Sequence, residues 1–139
     1  MAKVALAETG KSSAKVRILV VEDEILIRLA MADDLRRSGF NVIEASNAEE
    51  ALSVLSTTPD IALVVTDIRM PGRIDGLALA NWVRRHAPRV KVAVASANIE
   101  IGMAQLFDAV FSKPILPADL IAGVRQLLPR GEQSGSRSC

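Results

Sequence analysis

Four short apolar runs lead into residues able to hold a metal or to move a phosphoryl group. Glu22 and Asp23 follow "RILVV", Asp67 follows "IALVVT", Ser96 closes "KVAVAS" and Lys113 follows "AVFS". Taken singly, each has a plain role: the acids can complement a helix start, Ser96 can cap a turn and Lys113 can sit in solvent. Together they suggest chemistry. A lone carboxylate is costly to bury, and three packed together repel one another unless a cation joins them. An all-oxygen set suits a hard ion such as Mg²⁺, with Mn²⁺ as the alternative. Asp67 is then the natural nucleophile for a phosphoryl group, giving an aspartyl phosphate, and Glu22 and Asp23 are the natural metal holders. Lys113 adds a point charge and the Ser96 hydroxyl a hydrogen-bond donor.

These side chains converge only if the elements set their strands side by side. Strands are expected at 17–21, 41–45, 61–66, 91–96 and 109–112, and their continuous apolar runs suit strands buried on both faces. After the first strand the spacing turns helical, with Ile27, Ala30, Met31 and Leu35 on the expected inner face and Gly39 as the stop. Asn47 caps a second helix to about Ser56, Gly76 to His86 form a third, and Pro117 and Asp119 open a closing helix over 117–128. Residues 98–106 leave room for only a short fourth helix. Five β-then-α units predict a parallel sheet covered by helices on both faces. In such sheets ligands bind beyond the carboxyl ends of the strands, where strand order reverses.

The stretches "LVVEDE", "VVTDIRMPGRIDG", "VAVASA" and "FSKP" resemble the acidic pair, phosphoacceptor, switch hydroxyl and Lys-Pro motifs of bacterial response-regulator receiver domains of the CheY-like type. The resemblance spans about residues 17–128. It implies a flavodoxin-like, doubly wound, five-stranded parallel sheet of order 2-1-3-4-5. It also implies phosphorylation of Asp67 by a sensor histidine kinase or a histidine phosphotransfer protein. Mg²⁺ would be held by Asp23, Asp67 and the backbone carbonyl of Arg69, with Glu22 acting mainly through metal-bound water. The Lys113–Pro114 bond is expected to be cis.

Several positions depart from that pattern. Val110 stands where the family carries a switching Tyr or Phe; it is stiff and has no polar tip. Phe111 should face the opposite side of the strand, which leaves Phe107 as a candidate substitute. The segment from Ser96 to Lys113 is several residues short, so the fourth helix, a common output face in the family, is truncated. The loop after Asp67 has one residue more than usual and brings Arg69 and Arg73 near the site. Arg69 and Asn98 occupy the positions at which the family tunes the lifetime of the phosphate. His86 reads as a partner for a helix C-terminus, and Trp82 as partly buried packing with Leu79.

The chain has 139 residues, half of them apolar and only 3% aromatic, which suits one domain with an aliphatic core. A receiver is expected at 17–128, between loose Gly/Ser/Lys/Arg-rich ends at 1–16 and 129–139. Those ends and their margins hold seven basic and two acidic residues; residues 18–124 hold ten and fourteen. Such short basic clusters without aromatics favour solubility over nucleic-acid or membrane binding. The lone Cys139 allows no internal disulfide, and no secretory signal or apolar run of membrane length is present, so a cytoplasmic protein is expected. External substrate turnover is not expected: an Asp-nucleophile phosphatase would carry a second Asp where Arg69 stands. A flavin binder would carry a Gly/Ser/Thr-rich phosphate loop where "EDEILIR" stands. The alternative is a phosphorylation-independent receiver-like interaction module. The 11 residues after 128 are too few for an effector domain, which predicts output through a separate protein target or onward phosphate relay, from a monomer or weak homodimer.

Overall fold

The computed structural model describes residues 16–69, 75–98 and 102–128. The ends at 1–15 and 129–139, Arg73, and residues 99–101 of the expected fourth-helix segment lie outside them. The chain alternates β1 (Arg17–Val21), α1 (Ile25–Arg37), β2 (Asn41–Ala45), α2 (Ala48–Thr57), β3 (Ile61–Asp67), α3 (Gly76–His86), β4 (Lys91–Ser96), α4 (Met103–Leu106), β5 (Ala109–Ser112) and α5 (Pro117–Leu127). All five strands are parallel, in the order β2-β1-β3-β4-β5. This is the flavodoxin-like topology, and strand order reverses between β1 and β3.

Alternation along the strands feeds two apolar layers. Ile18, Val20, Leu63, Val65 and Phe111 pack with Met31 and Leu35 of α1 and Leu120 and Val124 of α5. On the other face Leu19, Val21 and Val64 meet Ala48 and Ala51 of α2 and Leu79 of α3. Val92 and Val94 pack there with Val83 and Phe107.

The helix boundaries follow local chemistry. Asn47 accepts from the Glu50 amide at 2.8 Å and Asp75 from the Ala78 amide at 2.9 Å, so both caps satisfy amides that the helix leaves open. Gly39, just beyond α1, has φ +100°, the left-handed stop that glycine takes at little cost. The inner face of α1 differs from expectation. Met31, Ala32 and Leu35 are buried, whereas Ile27 is 39% exposed and Ala30 is also exposed. The helix is rolled so that Arg28 and Arg36 reach Glu44 and the Val42 carbonyl on β2, which leaves Ile27 and Ala30 at the rim. β3 runs one residue further than expected because Asp67 pairs in register with Ala95.

Candidate functional site

The reversal in strand order brings the carboxyl ends of β1, β3, β4 and β5 to one edge. Beyond β1, the Glu22 amide donates to the Ala45 carbonyl at 3.0 Å, and Glu22 Oε2 accepts from the Glu24 amide at 3.1 Å. Glu22 is buried at 2% exposure, whereas Asp23 is exposed. Beyond β5, the Lys113 amide donates to the Ser96 carbonyl at 2.9 Å and the Lys113–Pro114 peptide is cis. The Lys113 side chain turns inward, with Nζ 2.7 Å from Asp67 Oδ2 and 3.7 Å from Glu22 Oε1.

Asp67 is fixed from several sides. Its Oδ1 accepts from the Arg69 amide at 3.2 Å, and its carbonyl accepts from Thr66 Oγ1 at 2.9 Å. The next amide, of Ile68, donates to the Ala95 carbonyl at 3.2 Å. Gly76 closes the turn: its amide donates to the Ile68 carbonyl at 3.0 Å, and a Cβ there would collide with the Asp67 carbonyl. Ser96 Oγ donates to the Asn98 carbonyl at 2.8 Å and accepts from the Asn98 amide at 3.2 Å, so its hydroxyl is held by its own turn. Asp67, Arg69, Ser96, Asn98 and Lys113 line a cavity of about 340 Å³.

Charge is unevenly compensated here. Burial pushes the Glu22 carboxyl above its ordinary value; the Glu24 amide and Lys113 pull it down, while Asp67 and Asp23 add to the rise. For Lys113, burial works against the charged amine, but the hydrogen bond to Asp67 and the charges of Glu22 and Asp67 outweigh it and raise its pKa. Lys113 therefore stays cationic at neutral pH. One carboxylate oxygen each from Glu22, Asp23 and Asp67 lie within 4.8 Å of one another. This hard, oxygen-only donor set fits a divalent ion such as Mg²⁺.

The structure thus gathers Glu22, Asp23, Asp67 and Lys113 at one point and puts Ser96, Arg69 and Asn98 around the adjoining cavity. Val110 and Phe107 lie elsewhere, in the apolar cluster with α3 and β4, and Phe111 is on the opposite sheet face. Thr66, Gly76 and Arg28 were not singled out by the sequence. A glycine directly after the Asp75 cap was the one available signal for Gly76; the other two act through contacts made only on folding.

A family pattern described as the response regulator receiver domain matches residues 18–125. The chain belongs to the response-regulator receiver family. It is 34% identical over 122 residues to the alkaline phosphatase synthesis transcriptional regulatory protein PhoP of Bacillus subtilis, covering 84% of this chain and 50% of that protein. A solved response regulator receiver protein from Sinorhizobium medicae is 32% identical with a TM-score of 0.76, covering 84% of this chain and 97% of that one. TrrA from Thermotoga maritima, solved in complex with Mg²⁺-BeF, is also 32% identical, with a TM-score of 0.72, covering 81% of this chain and 98% of that one. The chain spans about half the length of the curated full-length regulators it matches. Receivers are signalling domains that are phosphorylated by histidine kinases and bind Mg²⁺ at an acidic pocket. Among the described residues, no helix is long and apolar enough to cross a membrane.

Proposed function

We propose that residues 17–128 form a receiver that accepts a phosphoryl group on Asp67 from a phosphohistidine of a sensor kinase or phosphotransfer protein, and then either changes a protein-binding surface or passes the group on. The observation that carries this reading is the 2.7 Å bond from Lys113 Nζ to Asp67 Oδ2 beside an acidic cluster and an open cavity. A carboxylate oxygen of Asp67 forms the new P–O bond as the donor's P–N bond breaks. The electron pair returns to the imidazole nitrogen, and a ring protonated at its other nitrogen leaves neutral. Glu22, Asp23, Asp67 and the Arg69 carbonyl would hold Mg²⁺, or Mn²⁺ in its place. Bound there, the ion would neutralise charge on the transferring oxygens.

The chain's own groups do the rest. Lys113 offers its amine to the phosphoryl oxygens, and Ser96 Oγ turns from the Asn98 carbonyl to donate to one of them. Phosphorylation adds about −1.5 to −2 charge, so this exchange pulls the β4–α4 turn toward the site. With Val110 in place of an aromatic residue, the change spreads through that turn to the packed region of Val110 and Phe107, and through β5 to Phe111 on its opposite face. Arg69 and Asn98 flank the cavity and govern water access to the acyl phosphate. With Arg69 where a phosphatase would place its acid, no turnover of external substrates follows.

The donor has a place to dock. A cavity of about 320 Å³ beside Lys113 is walled by Leu26, Ile27, Ala30, Met31, Pro114 and Ile115, and Leu26 is 78% exposed. This rim suits the apolar face of a helix that carries the phosphohistidine.

Intact mass of the wild type and Asp67→Asn after incubation with Mg²⁺ and acetyl phosphate or phosphoramidate tests the reading. One phosphate adduct on the wild type alone, lost when Mg²⁺ is removed, is expected. No adduct, and no beryllofluoride complex, would point instead to a phosphorylation-independent interaction module.

A further inference from the structure

The acidic turn has a support that none of these roles uses. Arg28, in the first turn of α1, has a side chain only 16% exposed and reaches two acceptors. Nη1 donates to the Glu22 carbonyl at 3.0 Å, and Nε donates to Glu44 Oε1 on β2 at 3.2 Å. The other Glu44 oxygen lies 3.1 Å from Arg36 Nη1, and Arg36 Nη2 donates to the Val42 carbonyl at 2.9 Å. The Glu22 amide is itself bonded to the Ala45 carbonyl. Both peptide groups flanking the Glu22 Cα are therefore fastened to β2, one directly and one through Arg28 and Glu44.

We propose that Arg28 is a positioning residue for the cation site: clamped by Glu44, it holds the Glu22 carbonyl and so keeps the carboxylates of Glu22 and Asp23 directed at Asp67. This rests on the reading of that cluster as the Mg²⁺ site. A guanidinium suits the task because its rigid fork serves two acceptors at once, which the point charge of lysine does not. Electrostatics makes the role separable. Arg28 is a cation near a cation site, so Coulomb's law alone predicts tighter Mg²⁺ binding when it is removed. Loosening the turn predicts weaker binding. The two effects have opposite signs.

The test is Mg²⁺ titration of the full chain, followed by calorimetry or amide chemical shifts, with urea unfolding in parallel. Arg28→Ala is expected to raise the Mg²⁺ dissociation constant about tenfold, the scale seen when a group orienting a metal ligand is lost. Arg28→Lys restores little of it. Arg36→Ala removes the other arginine from Glu44 without touching the acidic turn, and its Mg²⁺ affinity stays within about twofold of wild type. Should Arg28→Ala fail to fold, Arg28→Lys carries the test alone. Unchanged or tighter binding on loss of Arg28, or an equal loss in Arg36→Ala, overturns the proposal. A wild type with no saturable Mg²⁺ binding overturns the metal reading as well, which separates the two failures.

Discussion

Glu22 shows a functional group held against the preference of its surroundings. Its carboxyl is buried, and that burial, with Asp67 and Asp23 nearby, raises its pKa above 4.5 despite the Glu24 amide and Lys113. A raised pKa means that the folded state favours the protonated acid. The stability this contributes is complete below 4.5 and is lost as pH climbs through the folded-state value. In metal-free protein, Glu22→Gln should therefore unfold at a higher urea concentration than wild type at pH 7, and the gap should close toward pH 4. A gap that persists at pH 4 would assign the effect to packing instead. Added Mg²⁺ should reverse the order at neutral pH, because only the wild type offers the full set of carboxylates to the ion. On that outcome, bound Mg²⁺ would offset the cost of holding Glu22 ionised.

The elements meet at close approaches that leave no room for a methyl group. Gly123 of α5 lies against the ring of Phe111 on β5, and a Cβ there would come within 2.6 Å of the ring's Cζ. Ordinarily, alanine in a helix interior is better than glycine by about 1 kcal/mol. Here the overpacking, of about 1–3 kcal/mol, should win, because Phe111 is 9% exposed and belongs to the same buried cluster as Leu120 and Val124. Gly123→Ala should lower stability in urea unfolding, and the loss should shrink or reverse in a Phe111→Leu background. Equal losses in both backgrounds would show that the ring is not the obstacle. At the other sheet face α4 is a single turn tied to α3 by Arg84 Nη2, which donates to the Leu106 carbonyl at 2.7 Å, and by buried Phe107. The truncated element is therefore anchored at its end.

At the scale of the molecule, ion binding and folding are linked. A ligand that binds only the folded chain at 100 times its dissociation constant adds about 2.7 kcal/mol of stability. For a domain of this size each kcal/mol raises the thermal midpoint by about 4 °C. The wild-type midpoint should therefore climb with the logarithm of Mg²⁺ concentration, whereas that of Asp23→Asn should stay nearly flat. A parallel climb in both would mean that the stabilising ion binds elsewhere.

Much of this architecture was legible before any tertiary contact was known. Strand and helix order, the Asn47 cap, the Gly39 stop and the short fourth helix depend on near neighbours in the chain, where hydrophobic period and turn chemistry act directly. The site residues were legible for a related reason: each stands at the end of a strand-like run, and parallel strands place those ends together. What folding alone decided is long-range. Lys113 and Asp67 are 46 residues apart in sequence, and only the order β1-β3-β4-β5 brings them to 2.7 Å. The roll of α1, which left Ile27 at the rim and turned Arg28 inward, follows from Glu44 on β2, 16 residues beyond Arg28. The sequence by itself determined which elements form and which residues stand at their ends. The tertiary structure decided how α1 is turned, where the Ser96 hydroxyl points and what clamps the acidic turn, because those depend on neighbours that hydrophobic periodicity does not encode.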